Sequence, residues 1–290
     1  MRRRINFGNT TLGLFSIAAL GFLALPLVVL VVRGVAGRGW EALPPDSGVA
    51  QAVTLSLLTT LASTLLTLTM GTPLAYVLAR WRFPLRRAVT VIVELPIVLP
   101  PAVAGLALLI TAGRRGVLGG ALDSIGIALP FTTAAVVIAQ TFISAPFYIR
   151  AAQIAFEGVP REIEDSARVD GASGPTLFRT IIFPLTRRAL FAGLTLSWTR
   201  ALGEFGATIL FAGSLQGRTQ TMPLLVYNAF ESNVDAAIWT SMLLLGLAAL
   251  GLLISQWLAR SSEYEDNKLN SQRWFWLKWQ KKPESITPRE

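Results

Sequence analysis

The sequence predicts an all-α, polytopic membrane protein, and three observations carry that prediction. Hydrophobic residues make up 52% of the 290 residues and charged residues only 15%, which suits a membrane-embedded chain better than a soluble domain. Apolar stretches long enough to cross about 30 Å of hydrocarbon recur along the chain. Basic residues gather between alternate stretches, as expected for a chain that crosses a membrane repeatedly.

Six stretches provide the roughly 20 apolar residues that a span needs. They cover residues 12–32, 53–78, 89–110, 131–149, 189–212 and 236–258. The first follows an arginine-rich start, but its apolar core exceeds the roughly 7–15 residues of a signal peptide, so we expect a retained helix. The predicted membrane domain is thus 1–260, with a polar loop at about 155–185. The tail, 261–290, is rich in Trp and Lys and suits either a membrane interface or a loosely ordered segment.

The basic residues predict the orientation. With the N-terminus inside, cytoplasmic segments hold 20 of the 26 Lys and Arg residues, so both termini are predicted to be cytoplasmic. The net charge of +9 is therefore a topology signal; we expect lipid and no nucleic acid as a partner. The predicted outer loops carry Arg33, Arg38, Arg114, Arg115 and Arg218.

Several chemistries are excluded by composition. The chain has no Cys and no His, which removes thiolate chemistry and the commonest general base and metal ligand. A phosphate-binding P-loop needs G-x-x-x-x-G-K-[ST], but all four Lys residues lie at or after Lys268 and none follows a Gly. We expect no catalytic residue, metal site or cofactor in this chain.

The polar loop predicts two short helices with a bend between them. Pro160 suits the first turn of a helix, and the carboxylates after it suit its positive end. Gly171 can adopt the left-handed conformation that ends such a helix. Ser173 can cap a second helix with Pro175 in its first turn, and Pro184 marks the boundary before the fifth span. Spacing alone equally allows a solvated hairpin between two spans.

The loop resembles the EAA loop of ABC importer permeases, whose pattern is E-A-A, three residues, G, nine residues, I-x-L-P. The matching positions are Asp165, Ser166 and Ala167 for the triplet, then Gly171, Ile181, Phe183 in place of Leu, and Pro184. The resemblance implies a coupling loop that docks in a groove of a separate cytoplasmic ATPase subunit, which binds ATP and Mg²⁺. Glu164 and Asp165 would meet basic groups of that subunit, and Leu177, Phe178 and Ile181 would anchor the second helix. The implied coupling residues are Glu164, Asp165, Ala167, Asp170, Gly171, Ala172, Ile181 and Pro184.

Two spans carry candidate pathway residues. In the third, Pro96, Pro100 and Pro101 remove backbone donors, which is tolerated in a bilayer only against protein or a watery cavity. The alternative is a packing kink without contact to substrate. In the fifth, Arg200 and Glu204 are four residues apart and are predicted to share a helix face, either lining the path or forming a structural ion pair. The full set of pathway or gate candidates is Pro96, Pro100, Pro101, Arg200, Gly203, Glu204, Gly206 and Thr208.

The fifth span carries a second resemblance. R-A-L-G-E-F-G-A-T at 200–208 and G-R-T-Q-T-M-P at 217–223 resemble the sulfate/molybdate branch of the permeases, and G-R-R-G at 113–116 is more similar to the molybdate permeases. This resemblance covers about residues 51–255. It implies a homodimer in a prokaryotic inner or plasma membrane. It also implies an extracytoplasmic binding protein and an oxyanion substrate: molybdate or the similar tungstate, with sulfate or thiosulfate as the alternative.

Two other functions compete with that of an importer permease. A secondary transporter would need a proton or cation relay, yet only Glu94, Arg200 and Glu204 lie within predicted spans. A membrane enzyme, such as a lipid transferase, would need several carboxylates converging on a metal near the interface. The acidic residues here cluster in one loop instead, which favours the importer.

Overall fold

In a computed structural model, residues 10–41, 43 and 46–256 are described, and they form helices without any β-strand. The predicted all-α class is confirmed. The helices are α1 (Thr10–Ala36), α2 (Val49–Arg80), α3 (Arg86–Val98), α4 (Pro101–Ala112), α5 (Gly119–Ser124), α6 (Thr133–Glu157), α7 (Arg161–Val169), α8 (Gly174–Leu177), α9 (Phe183–Leu202), α10 (Gly206–Phe211), α11 (Met222–Ser232) and α12 (Val234–Gln256). The predicted Trp-rich tail lies outside the described residues.

Within the described residues, four helices are long and apolar enough to cross a membrane: α1, α2, α6 and α12. They confirm the first, second, fourth and sixth predicted spans, although the last two residues of the sixth are not described. Helix α1 exposes apolar side chains such as Phe15 and Phe22 around its whole circumference, which suits a helix surrounded by lipid.

The third predicted span is not one kinked helix. Its two halves, α3 and α4, meet at a bend of 118°, and they make a fifth span only if both belong to one crossing. Leu99 and Pro100, between the halves, both have extended ψ angles of 133° and 132°. Because Pro100 and Pro101 are adjacent, the residues before them are pushed away from helical geometry, and the chain breaks where the prolines cluster.

The fifth predicted span, 189–212, is wrong as a continuous helix. Helix α9 begins earlier, at Phe183, and ends at Leu202; after a break at 203–205 the chain resumes as the short helix α10. The 20 residues of α9 include Arg187, Arg188 and Arg200, so it falls outside the apolar helices named above. Apolar residues on both sides of Gly203 hid the break from the sequence pattern.

The described part of the chain divides into two compact units. Among the described residues, one unit draws on 10–61, 100–140 and 202–248, and the other on 62–99, 141–201 and 249–256. In the first, α2 and α11 meet through buried Ala52, Met222 and Leu225, with side chains of α12 packed around them. Because lipid tails are as apolar as these side chains, close packing rather than exclusion of water stabilises such a contact within a membrane.

The second unit has its core where the polar loop meets the ends of α2 and α6. Ala167 and Leu177 of the loop are buried in one cluster with Leu78 of α2 and Phe156 of α6. The ring of Tyr76 contacts the rings of Phe156 and Phe178 edge-on, at centroid distances of 5.6 and 5.9 Å. The loop is therefore a packed part of the fold rather than a solvated hairpin.

Candidate functional site

The bend in the polar loop follows a defined hydrogen-bond pattern. Helix α7 ends at Val169, and Gly171 has a φ of +88°, the left-handed conformation that favours glycine. The N–H of Ala172 donates to the carbonyl of Ala167 at 2.9 Å, and the N–H of Gly171 donates to that of Arg168 at 3.0 Å. These two bonds form a Schellman motif, which confirms the predicted helix end at Gly171.

Helix α7 is attached to α2 by a buried ion pair between Glu164 and Arg80. The Arg80 side chain is 9% exposed and the Glu164 side chain 4% exposed. The same guanidinium donates to the carbonyl of Val159 at 3.1 Å, just before α7 begins. Removing one partner of such a pair would leave a buried charge, so this contact holds the helix in one position.

A second arginine reinforces the same corner. The Nε of Arg86 donates to the carbonyl of Leu78 at 2.7 Å, and its Nη2 lies 2.6 Å from Oε1 of Glu157 at the end of α6. That oxygen also accepts a hydrogen bond from Gln153 at 3.0 Å. The ends of α2 and α6 are therefore cross-linked beside the loop by charge-assisted bonds, which are stronger than neutral ones.

The exposed surface of α7 is mostly charged and polar but includes two apolar side chains, Ile163 and Val169. Asp165, paired with Arg168 at 3.2 Å, is 68% exposed, and Val169 is 88% exposed. Of the two carboxylates predicted to reach a partner subunit, only Asp165 is at the surface. The expectation that Glu164 contacts a partner subunit is corrected, because its carboxylate is buried against the Arg80 guanidinium within the chain. Asp170, the residue after the helix, is exposed as well.

The second part of the loop continues into α9 without a boundary. Ser173 stands at the N-cap position of α8, but its hydroxyl meets the Thr176 hydroxyl at 2.9 Å rather than a backbone N–H. A π-helical turn, Phe178–Ile182, then joins α8 to α9. Pro184 is the second residue of α9, close to the predicted boundary, and the wider turn before it accommodates the ring and the missing donor.

The three residues expected to anchor the second loop helix, Leu177, Phe178 and Ile181, are buried to different extents. Leu177 is buried, and Phe178, Ile181 and Ala172 pack partly buried against the same cluster. The fully buried isoleucine is the neighbouring Ile182, which the sequence pattern did not single out.

The break after α9 changes the argument for Arg200 and Glu204. Because the helix ends at Leu202, a shared helix face no longer supports their pairing, and the pair stays a prediction. Glu204 is 1% exposed, and its Oε1 accepts a hydrogen bond from the N–H of Ala207 at 2.8 Å. Its carboxylate therefore satisfies a donor in the first turn of α10.

Three of the predicted pathway residues lie on α4 or α10, which pack closely together. A Cβ at Gly206 would lie 2.7 Å from the Cβ of Pro101, and one at Gly105 would lie 2.8 Å from the Cα of Ala207. Thr208 is fully buried on α10. The structure thus brings Pro101 and Gly206 into close contact, with Pro100 just before α4 and Thr208 buried on α10. Pro96 is buried within α3, and Gly203 is exposed in the break.

Sequence reasoning missed the groups that position the loop. In the sequence, Arg80 and Arg86 count only toward the cytoplasmic basic charge that predicts the topology. No sequence pattern singles out Glu157 or Gln153. The available signal was a basic cluster directly after a span and an acidic residue on the buried side of an amphipathic helix. Helix α11 was also missed, although Thr221 and Pro223 form a helix start signal with Pro in the first turn.

Comparison with known proteins agrees with this geometry. The family described as the binding-protein-dependent transport system inner membrane component matches residues 71–263, more than half of the chain. The chain is 42% identical over 242 residues to the molybdenum transport system permease protein ModB of Mycobacterium tuberculosis, covering 82% of this chain and 90% of that protein. It is 39% identical to the protein of the same name from Escherichia coli K12, covering 73% and 94%.

A more distant relative is the sulfate transport system permease protein CysW of Synechococcus elongatus, 34% identical over 72% of this chain and 73% of that protein. Among solved structures, a bacterial ABC transporter involved in alginate import has a similar fold, with a TM-score of 0.66 at 19% identity, covering 86% of this chain and 92% of that one. The MetNI methionine ABC transporter matches with a TM-score of 0.54 at 17% identity, covering 82% and 98%.

The polar loop, the apolar helices and these matches define a membrane subunit of a transport system. The chain belongs to the family of inner-membrane components of binding-protein-dependent transport systems. The resemblance to ABC importer permeases read from the loop is thereby confirmed.

Proposed function

We propose that this chain is the membrane subunit of an ATP-driven importer that carries molybdate across the inner membrane. The substrate assignment rests on the 42% identity to a protein named as a molybdenum transport permease, which extends over 90% of that protein's length. The lower identity, 34%, to a permease named for sulfate supports molybdate over sulfate. Tungstate, whose oxyanion has nearly the same size and charge, is expected to share the path.

ATP hydrolysis belongs to a separate subunit in this proposal, because the sequence contains no P-loop. That partner binds ATP and Mg²⁺, and this chain itself carries no cofactor. The ATPase subunit would dock on the exposed face of α7 of this chain. Asp165 and Arg168 offer polar contacts there, and Val169 offers an apolar one. The buried Arg80–Glu164 pair supports this role, because α7 can transmit movement to the membrane spans only when it is attached rigidly to them.

The other partners follow from the family. A loaded binding protein docks on the outer side, and two copies of this chain enclose the path between them. Symmetric homodimers are the commonest oligomers, and the half-exposed apolar helices leave surface for a second copy. Both termini are cytoplasmic, as the distribution of Lys and Arg predicts.

The proton-relay rival is weakened by one contact. Glu94, the carboxylate on α3, lies 3.3 Å from the guanidinium of Arg150, so it already has an ionic partner within the chain.

The test is uptake into proteoliposomes that contain this chain with its ATPase and binding protein. We expect uptake of labelled molybdate that requires ATP, that tungstate inhibits at equal concentration, and that sulfate inhibits only in large excess. Preferred uptake of sulfate would reassign the substrate. Uptake driven by an ion gradient without ATP would replace the importer with a secondary transporter.

A further inference from the structure

Three arginines converge on one cavity of the unit that contains α4, α5 and α10. The cavity has a volume of about 470 Å³, within the roughly 300–1,000 Å³ typical of small-molecule sites. The charged residues that line it are Arg114, Arg115 and Arg218, and none of its lining residues is acidic. Leu109 and Phe131 supply an apolar wall.

These guanidinium groups differ from that of Arg38 in their ionic partners. None of the three forms an ion pair or a side-chain hydrogen bond with a described residue. Arg38, expected on the same side of the membrane, is paired with Glu41 at 3.7 Å. Three unpaired like charges around a partly apolar cavity repel one another and attract an anion.

The loops that carry the arginines are held by backbone bonds. After α4, the N–H of Val117 donates to the carbonyl of Ile110 at 3.0 Å, which folds the Arg114–Arg115 turn back onto the helix. A Cβ at Gly116 would lie 2.4 Å from that same carbonyl oxygen, so the turn requires glycine there. The turn that carries these two cations is therefore fixed before any ligand binds.

The opposite side of the cavity is fixed in a similar way. The hydroxyl of Thr133, the first residue of α6, donates to the carbonyl of Arg218 at 2.9 Å. Phe131, two residues earlier, has a φ of +63°, which a bulky residue rarely adopts. Such strained backbone concentrates at functional sites.

We propose that this cavity is a transit site for a doubly charged tetrahedral oxyanion. This inference rests on the proposed function: the anion released from the binding protein is held by Arg114, Arg115 and Arg218 before it enters the path. All three side chains remain exposed, so each contact with the anion is weak. Weak binding suits a transit site, because conduction requires a site that can also release its ligand.

The test uses phenylglyoxal, which modifies arginine side chains, on the assembled transporter in lipid nanodiscs without binding protein. Tungstate is the probe, and ionic strength is held constant with chloride salt, because exposed charges are screened over about 10 Å at 0.1 M salt. We expect tungstate to slow modification of Arg114, Arg115 and Arg218 several-fold and to leave Arg38 unchanged. Replacing the three residues with Gln should also lower maximal uptake several-fold at saturating binding protein, whereas Arg38→Gln should not.

Three outcomes would overturn the proposal. The first is that tungstate protects none of the three arginines. The second is equal protection of Arg38, which would indicate a general ion atmosphere. The third is protection that is seen only in a parallel sample with the binding protein added, which would make the cavity a protein contact instead. Uptake by the unmodified transporter reports on the proposed function separately. If it carries no oxyanion while tungstate still protects the three residues, the importer assignment fails and the anion site stands.

Discussion

The guanidinium of Arg80, the last residue of α2, lies against the carboxylate of Glu164 on α7, and both side chains are almost fully buried. The exposed loop helix is therefore attached to a membrane-spanning helix through an ion pair that water does not reach. An exposed pair contributes about 0–1 kcal/mol, whereas removal of one partner from a buried pair costs about 3–5 kcal/mol.

The first prediction concerns this pair. Glu164→Gln or Arg80→Ala is expected to lower stability by about 3–5 kcal/mol, because each leaves a buried charge without its partner. The matched control is Arg168→Ala, which removes the exposed partner of the same carboxylate, 3.7 Å away, and should cost about 0–1 kcal/mol. Thermal unfolding of the purified variants measures both. Equal, small shifts for all three would show that the buried pair does not hold the loop.

The second prediction concerns the end of α7. Gly171→Val is expected to leave the protein inserted but to uncouple transport, because a β-branched residue strains at a φ of +88°. Gly174→Val is the matched control: a Cβ meets nothing within 4 Å at either glycine, but only Gly171 has a positive φ. Co-purification of the ATPase and substrate-stimulated ATP hydrolysis are the readouts. Unchanged values of both in Gly171→Val would refute the coupling role.

The third prediction concerns orientation. Single cysteines at positions 82, 161, 115 and 218 can be introduced into this Cys-free chain, and all four native side chains are exposed. An impermeant reagent added to intact cells should label positions 115 and 218 only. Permeabilised cells, in which all four should react, provide the control. Labelling of position 82 or 161 in intact cells would reverse the predicted topology.

The fourth prediction concerns the break after α9. Glu204→Ala should destabilise the protein by about 1.5–3 kcal/mol, because the N–H of Ala207 loses a charged acceptor. Glu204→Gln keeps an acceptor oxygen and should cost less. If Arg200 and Glu204 interact, as the sequence predicts, Arg200→Ala and Glu204→Ala should be non-additive by at least about 0.5 kcal/mol in stability.

Uptake separates the two roles of that pair. If Arg200 guides the oxyanion, the double variant recovers stability but not transport; if the pair is purely structural, it recovers both in part. Thermal unfolding and uptake of the two single variants and the double variant decide. Strict additivity in both measurements would mean that Arg200 and Glu204 do not interact.

The sequence by itself determined the all-α membrane class, four of the spans and the bend at Gly171. These features depend on local chemistry: apolar length sets a span, and a glycine that can adopt positive φ ends a helix. The tertiary structure decided what depends on distant neighbours. Glu164 is buried because Arg80 lies opposite it, and Arg114 and Arg218 share a cavity because two separate loops are hydrogen-bonded into place. The break at 203–205 is likewise not visible in hydropathy, and the Glu204 side chain within it accepts a hydrogen bond from the N–H of Ala207 in the first turn of α10.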